Sequence, residues 1–225
     1  MTTAAILQPG YMPWLGFFDQ MKKVDVFVYY DDVQYDKHGW RNRNRLKGAG
    51  GPVWLTVPVL HKGKSLQLVK DVEISKSQQW ATKHVRTIEQ LYAKAPFSTS
   101  YLPALSDVLC KDWQRLVDLN YEVIDLMRRW LDIDTPIIYA SSLNIGGGQT
   151  ERLVNICKHL EATEYLTGLA AKGYLDTEKF EHAKINVRWH DYTQPKYVQL
   201  HGSFVSHLSA LDLLLNEGPA KFKAL

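Results

Sequence analysis

Two adjacent carboxylates and a run of cations follow one predicted strand of the sequence. Asp31 and Asp32 come directly after the apolar run VDVFVYY, and Arg41 and Arg43 follow shortly afterwards. Adjacent residues of a strand point to opposite faces, so the two acids serve one site only if the strand ends before them. Carboxylates orient amines, accept protons or help hold Mg²⁺, and guanidinium groups bind phosphate or carboxylate. The stretch YDDVQYDKHGWRNRNRLK therefore predicts either one wall of a site for a charged substrate or a solvated loop.

The same stretch supplies further candidate groups for binding a substrate. Gln34, Lys37 and Asn42 can form hydrogen bonds, and Trp40 has a flat face that can stack on a base or a sugar ring. The fold has to position these groups next to the acids before they can act together.

Two histidines are candidates for proton transfer. His84 lies on a predicted helix one turn after Trp80, which makes it either a core residue or an acid–base group. His201 stands beside Gly202 in a predicted loop before the last helix, where it is free to reach into a cleft. An unperturbed imidazole titrates near pH 6.5 and so suits proton transfer at neutral pH.

The opening loop QPGYMPWLGF carries Gln8, Tyr11 and Trp14 between a predicted strand and a predicted helix. The layout is similar to that of nucleotidyltransferases whose loop carries His-x-Gly-His, but WLGF occupies that place and both histidines are missing. The loop is either part of a binding site, with its helix N-terminus facing an anion, or a turn made rigid for packing.

A later loop, TGLAAKGYL, follows another predicted strand. Its small residues permit close approach of a ligand, and Lys172 either contacts a phosphate or extends over the surface. The turn Gly146–Gly148 before a predicted helix is a weaker signal, because it matches neither of the glycine-rich phosphate-binding motifs.

Strand and helix patterns alternate along the chain. We predict strands over residues 4–8, 25–30, 53–59, 72–74, 136–142, 164–168 and 185–190. We predict helices over residues 14–23, 78–94, 102–132, 149–160, 176–182 and 206–216. This rhythm predicts an α/β fold with a mainly parallel, Rossmann-like sheet flanked by helices, and a nucleotidyltransferase-like arrangement is compatible with it. We expect one domain over residues 1–225 with a helical subdomain at about 78–132, and candidate groups converging at the carboxyl edge of the sheet.

Composition narrows the class of protein. Of the 225 residues, 45% are hydrophobic, which is enough for a full core, and the net charge of +3 is too small to predict a DNA-binding surface. Cys110 and Cys157 form no zinc motif, and we predict two reduced core thiols and no metal site. No signal peptide and no membrane span are predicted, so we expect a cytoplasmic location.

Taken together, the motifs resemble the WbqC-like protein family over nearly the whole chain, from about residue 5 to 218. The resemblance is carried by ILQPGYMPWLGFFDQM, DVFVYYDDVQYDKHGWRNRNRLK, WLTVPV, KHVRTIEQLYAKAPF, YLTGLAAKGYLD and YVQLHGSFVSHLSALDLLLNEG. The matching positions include Gln8, Pro9, Tyr11, Pro13, Trp14, Gly16, Asp31, Asp32, Gln34, Lys37, Trp40, Asn42, Arg43, Lys83, His84, Gln199, His201 and Gly202. At Thr167, Leu169 and Gly173 the chain departs from the family's usual pattern.

The resemblance implies a transferase of O-antigen and other surface-polysaccharide sugar biosynthesis. Such an enzyme would attach an aminoacyl group, for example glycyl, or an acyl group to the amine of a nucleotide-linked amino sugar. The donor would be an acyl carrier protein or another activated acyl compound. One alternative is nucleotidyl or adenylyl transfer on the same kind of fold, with Mg²⁺ held by Asp31 or Asp32; we expect no other cofactor. Another is a non-catalytic module that binds a sugar nucleotide or a carrier protein.

Overall fold

The structure is a computed structural model that describes residues 1–61, 63–64, 66–76 and 79–223. The chain divides into two compact units. Unit 1 comprises Met1–Gln8, Gly16–Asp32 and Asp134–Thr193, and unit 2 comprises Pro9–Leu15, Val33–Ile133 and Gln194–Leu225. The predicted single domain over residues 1–225 and its helical subdomain at about 78–132 stay predictions.

Strands and helices follow the predicted α/β order. The strands are β1 (Thr3–Leu7), β2 (Val26–Tyr29), β3 (Arg43–Gly48), β4 (Gly51–Thr56), β5 (Ile137–Tyr139), β6 (Glu164–Gly168) and β7 (Asn186–His190). The helices are α1 (Leu15–Lys22), α2 (Trp80–Leu91), α3 (Ser98–Leu109), α4 (Leu116–Trp130), α5 (Ala140–Leu143), α6 (Gln149–His159), α7 (Thr177–His182), α8 (Ala210–Glu217) and α9 (Ala220–Lys223). Short 3₁₀ helices lie at Val69–Asp71 and Leu169–Gly173.

The sheet of unit 1 has five strands in the order β5-β2-β1-β6-β7, and every pairing in it is parallel. Parallel strands are covered by helices on both faces, and this is why β1 and β2 read as short continuous apolar runs. In unit 2, β3 and β4 form a separate antiparallel pair. The predicted mainly parallel sheet flanked by helices is therefore confirmed.

Both faces of the sheet in unit 1 are packed. On one face Tyr165 lies parallel to Phe180 of α7, with ring centroids 5.1 Å apart, within a buried cluster that includes Cys157. On the other face, the ring of Phe17 from α1 packs edge-on against Phe27 at 5.2 Å. Burial of these large rings stabilises the sheet and fixes the position of the loops at its ends.

Two predictions of secondary structure are wrong. The stretch after β2 contains a strand, β3, because Asn44 and Leu46 turn inward and are buried while Arg43 and Arg45 lie on the outer face of the pair with β4. Residues 72–74 form no strand, since the chain makes a 3₁₀ helix at Val69–Asp71 and then only isolated bridges.

Two further predictions need separate mention. The region predicted as one helical block over 102–132 is two helices, α3 and α4, and the predicted start of the preceding helix at Gln78 lies outside the described residues. Cys157 is buried as expected, but Cys110 is exposed, so the prediction of a second core thiol is wrong.

The strands β1 and β6 pair over a short distance and then part. Their register covers Thr3 with Glu164 and Ala4 with Tyr165, whereas β6 stays paired with β7 to the end. The side chain of Gln20 on α1, only 3% exposed, donates a hydrogen bond of 2.8 Å from Nε2 to the carbonyl of Leu166. The gap between β1 and β6 lies at the switch point of the sheet, because β2 and β5 are added on one side of β1 and β6 and β7 on the other. Ligands usually bind at this point in open α/β sheets.

Replacing Gln20 with Met should therefore weaken the fold. The substitution keeps the length of the side chain but leaves the buried Leu166 carbonyl without its donor, which costs about 1–3 kcal/mol of unfolding free energy. Chemical denaturation measures the change, with Gln90→Met on an exposed position of α2 as the matched control. A loss no larger than that of the control would show that the carbonyl does not depend on Gln20.

Candidate functional site

The carboxyl edge of the parallel sheet in unit 1 gathers five chain segments. In strand order, they are the segments after Tyr139, after Tyr29, after Leu7, after Gly168 and after His190. The candidate residues Asp31, Asp32, Gln8 and Lys172 all lie in these segments, as the sequence predicts.

Asp31 stabilises the first turn of α5. Its carboxylate is buried and accepts hydrogen bonds from the backbone N–H of Ser141 at 2.9 Å and from the Ser141 hydroxyl at 2.5 Å. A carboxylate at a helix N-terminus satisfies backbone donors that the helix leaves unpaired. The geometry thus gives Asp31 a structural task at this edge.

Asp32 is paired with a cation. Its Oδ2 lies 2.5 Å from Nη2 of Arg152, and both side chains are 13% exposed. Arg152 also donates to the carbonyl of Ile145 and lies over the ring of Tyr30, 5.1 Å from its centroid. Within the described part of the chain, the buried Oδ1 of Asp32 has no hydrogen-bond partner. It is therefore an acceptor that a bound molecule can use.

A histidine and a carboxylate that sequence reasoning missed meet at the same edge. His190, the last residue of β7, is 8% exposed, and its Nε2 lies 2.6 Å from Oδ2 of Asp19 on α1. Lys23 also donates to this oxygen, at 2.7 Å. Burial alone would raise the pKa of Asp19, but His190 and Lys23 outweigh it and hold that pKa below its usual value. The contact with Asp19 orients the imidazole ring of His190 at the end of β7.

Lys172 and Gly168 lie at the neighbouring position of the edge. The exposed Lys172 places its ammonium 5.3 Å from the ring centroid of Trp189, whose side chain leaves β7 on the face opposite to His190. A Cβ built on Gly168 would meet no atom within 4 Å, so there is open space beside the end of β6. A ligand can approach the backbone closely at this point.

In unit 2, His84 is enclosed by aromatic groups. It is 6% exposed, its Nδ1 is hydrogen-bonded to the Tyr11 hydroxyl at 2.9 Å, and its ring packs edge-on against Trp80 at 5.4 Å. Burial lowers the pKa of His84 to about 4, against a smaller opposite effect of a hydrogen bond with the Thr56 backbone. The imidazole is therefore neutral at pH 7 and a weak base.

His201 lies in a loop held by a buried cation. His201 is exposed with φ of 63°, and its Nε2 donates to the carbonyl of Leu91 at 2.7 Å. Lys47, only 2% exposed, donates from Nζ to the carbonyls of Gly202 and Ser203. Sequence reasoning missed Lys47, because a lysine shortly after Arg41, Arg43 and Arg45 reads as one more exposed cation.

The remaining residues of the opening loop and the polar stretch divide into exposed and structural groups. Gln34 and Lys37 are exposed. Asn42 is buried and donates to the carbonyl of Val57 at 2.9 Å, which ties the stretch to the end of β4. The carbonyl of Arg41 accepts the backbone N–H of Tyr11 at 3.1 Å. These bonds fix the opening loop and the polar stretch to each other.

Several aromatic rings of unit 2 stack on other rings or lie beside an arginine. Trp14 is half-buried and stacks on His207 at 5.2 Å. Trp40 stacks on Trp54 at 5.2 Å, and Arg43 lies over the Trp54 ring at 5.0 Å. Arg43 belongs to the pair β3–β4, which is a separate sheet from the five strands of unit 1, and the convergence of all candidate groups at one edge stays a prediction.

The candidate residues thus fall into two groups, one in each unit. Gln8, Asp31, Asp32 and Lys172 belong to unit 1, and Tyr11, Trp14, Gln34, Lys37, Trp40, Arg41, Asn42, Arg43, His84 and His201 belong to unit 2. Within the described residues there is no group of three or more His, Cys, Asp or Glu side chains placed to hold a metal ion. No helix among them is long and apolar enough to cross a membrane.

The fold and the edge in unit 1 define an α/β protein whose candidate ligand position is the switch point of an open parallel sheet. The chain belongs to the WbqC-like protein family, whose model matches residues 8–224. It is 38% identical over 220 residues, 97% of this chain and 95% of the relative, to the uncharacterized protein Rv1507c of Mycobacterium tuberculosis (strain ATCC 25618 / H37Rv). No solved structure matches the chain.

The buried state of His84 predicts a specific dependence of stability on pH. The unfolded chain binds a proton at His84 below about pH 6.5, while the folded protein does so only near pH 4. The stability contribution is present above pH 6.5 and is lost as the pH falls, by about 3 kcal/mol between these values. Denaturation curves at pH 7, 6, 5 and 4 should show this loss in the wild type.

The variant His84→Gln removes the titrating group and should show a correspondingly smaller loss on acidification. His182→Gln, at an exposed histidine of α7, serves as the control and should follow the wild type. Equal acid sensitivity of the wild type and His84→Gln would contradict a neutral buried His84.

Proposed function

We propose that the protein is a transferase of surface-polysaccharide sugar biosynthesis, including that of O-antigen. It joins an aminoacyl group, for example glycyl, or an acyl group to the amine of a nucleotide-linked amino sugar. The observation that carries the proposal is the oriented imidazole of His190 at the carboxyl edge of the sheet. What the family resemblance implies about amino-sugar chemistry supports the same reaction.

The chemistry requires a group that takes a proton from the attacking amine. A nitrogen–carbon bond forms between the sugar amine and the acyl carbon, and the bond from that carbon to the sulfur or oxygen of the donor breaks. The surplus proton of the amine goes to Nδ1 of His190 and then to the leaving group. Asp19 keeps the ring in one orientation and stabilises the imidazolium that forms, and such proton transfer contributes about 10²–10⁴-fold to a rate.

His190 suits this role better than the two histidines predicted from the sequence. His84 has a pKa of about 4 because it is buried, so it is a weak base at neutral pH. His201 is exposed, and its Nε2–H already donates to the carbonyl of Leu91. Proton transfer by His84 or His201 remains the alternative within this proposal.

Other candidate residues take binding roles in the proposal. Paired strands are about 4.8 Å apart and β1 and β6 part towards this edge, so His190 on β7 and Asp32 after β2, three strands away, are at least roughly 14 Å apart and cannot share one amine. An extended sugar nucleotide is long enough to reach Oδ1 of Asp32 with another of its groups. We assign Lys172 to a phosphate of the substrate or of the donor.

Mass spectrometry tests the reaction. The protein is incubated with candidate amino-sugar nucleotides and with activated donors such as acyl carrier protein thioesters, coenzyme A thioesters or aminoacyl-tRNA. The expected result is a mass gain on the sugar equal to the acyl group, and no gain on the matched sugar whose amine is already acetylated. Binding of every free amine without any modification would overturn the transferase proposal, and pyrophosphate release from a nucleoside triphosphate would favour nucleotidyl transfer.

The variant His190→Gln tests the role of the imidazole in that reaction. The amide keeps the hydrogen bond to Asp19 but cannot accept a proton, so kcat should fall at least about 100-fold with little change in KM. His182→Gln is the control for the loss of a histidine, and thermal unfolding checks that both variants are folded. Unchanged kcat in folded His190→Gln would exclude His190 as the proton acceptor.

A further inference from the structure

The outer face of the β3–β4 pair presents an unusual set of side chains. The register places Arg45 opposite Trp54 and Arg43 opposite Thr56, so these four side chains share one face. Trp40, just before β3, stacks on Trp54 with a 28° angle between the rings. Trp40 is 44% exposed and Trp54 is 48% exposed, so a large aromatic surface stays in water.

The two guanidinium groups on this face are positioned by backbone carbonyls. Arg45 lies over both indoles, at 5.2 Å from Trp40 and 5.6 Å from Trp54, and Arg43 lies 5.0 Å from Trp54. Nη2 of Arg43 donates to the carbonyl of His38, and Nη2 of Arg45 donates to that of His207. In the described part of the chain, neither arginine forms an ion pair with a carboxylate.

The charge pattern of the sequence around this face points to an anionic ligand. Residues 37–70 contain no Asp or Glu but eight Lys or Arg, namely Lys37, Arg41, Arg43, Arg45, Lys47, Lys62, Lys64 and Lys70. A chain with a net charge of only +3 thus concentrates positive charge in the segment that carries the two tryptophans. Cations beside exposed aromatic rings attract molecules that have both a planar ring and a phosphate.

We propose that this face, the outer face of β3–β4, binds a nucleoside diphosphate, either free or as a group of a larger nucleotide. The base stacks on the exposed indole surface of Trp54 and Trp40, and the two phosphates contact Arg43 and Arg45. Sequence reasoning had named Trp40 and Arg43 for binding but missed Trp54 and Arg45.

Two other ligands fit the face less well. A neutral glycan would accept hydrogen bonds from the two guanidinium groups but would leave their positive charge uncompensated. A single-stranded nucleic acid requires a longer cationic track, but Lys47 is committed to two backbone carbonyls and Lys64 to Glu73 at 3.1 Å. Arg43 and Arg45 match the two phosphates of a diphosphate. Cation–π contacts at an exposed site contribute about 0.5–1 kcal/mol. This stabilisation is too small to explain by itself why two indole rings stay exposed to water.

Titration calorimetry with UDP and GDP on the full-length protein tests the proposal, and uridine and pyrophosphate are the separate halves. Either nucleoside diphosphate should bind at least about tenfold more tightly than both halves, because the ring and the phosphates are bound together. Trp54→Ala should weaken binding by about tenfold or more, since stacking on an aromatic ring contributes that much per base. Arg45→Gln should weaken it by about tenfold as well, because a charge-assisted contact with a phosphate is lost. Trp113→Phe and Lys111→Gln are the matched controls. They alter a different cation–tryptophan contact of unit 2, in which Nζ of Lys111 lies 5.8 Å from the ring centroid of Trp113, and should leave binding unchanged.

A measurement on the wild type keeps the test decisive if Trp54→Ala does not fold. The indole N–H signals of Trp40 and Trp54 should shift on addition of the nucleoside diphosphate, while that of Trp113 should not. Absence of binding, unchanged affinity in folded variants, or shifts confined to other residues would overturn the proposal. Tight binding of a uridine hexanucleotide without binding of UDP or GDP would overturn it too and assign the face to nucleic acid.

The result is independent of the outcome for the transferase. Nucleoside diphosphate affinity that stays unchanged in folded Trp54→Ala and Arg45→Gln would refute this face and leave the proposed function standing. Nucleoside diphosphate binding that depends on Trp54 and Arg45, without acylation of any amino sugar, would refute the function and support the face.

Discussion

The parting of β1 and β6 is the constraint on which the arrangement of unit 1 depends. Two parallel strands that separate expose backbone groups, and a buried carbonyl needs a donor. Gln20 supplies it for Leu166, which fixes α1 against the sheet at this point. Asp19 is the neighbouring residue on the same helix, so the contact that closes the gap also brings its carboxylate to His190. One helix thereby completes the sheet and orients the imidazole at its edge.

Unit 2 depends in the same way on a buried polar group. Asp212 is fully buried and accepts hydrogen bonds from the hydroxyls of Tyr92 and Tyr197 and from the amide of Gln199. Burial raises the pKa of Asp212, although these hydrogen bonds and the charge of Lys47 oppose the effect. Burying the carboxylate of Asp212 has a desolvation penalty. Its hydrogen bonds join α8 to distant segments, and such a buried network specifies one arrangement of the loops when every donor and acceptor in it is paired.

The sequence predicts the parallel sheet well, because its strands are short apolar runs bounded by turn residues. It does not reveal β3, whose inward residues Asn44 and Leu46 alternate with arginines and lack a continuous apolar pattern. The candidates at strand ends were found by position, and His190 ends a predicted strand in the same way. Its partner Asp19 could not be predicted, because a carboxylate four residues before a lysine on a helix reads as a surface ion pair until the fold brings His190 to it.

The contacts of the two aspartates bear on the choice between the proposed acyl transfer and its nucleotidyl-transfer alternative. Asp31 already accepts two hydrogen bonds from Ser141, and Asp32 is paired with Arg152 at 2.5 Å. A Mg²⁺ ion bound here would have to replace those contacts, and breaking a largely buried ion pair leaves an uncompensated charge. Acylation of an amine needs instead a neutral base with a fixed orientation. In the proposed acyl transfer His190, oriented by Asp19, would be this base, and the contacts of Asp31 and Asp32 would stay in place.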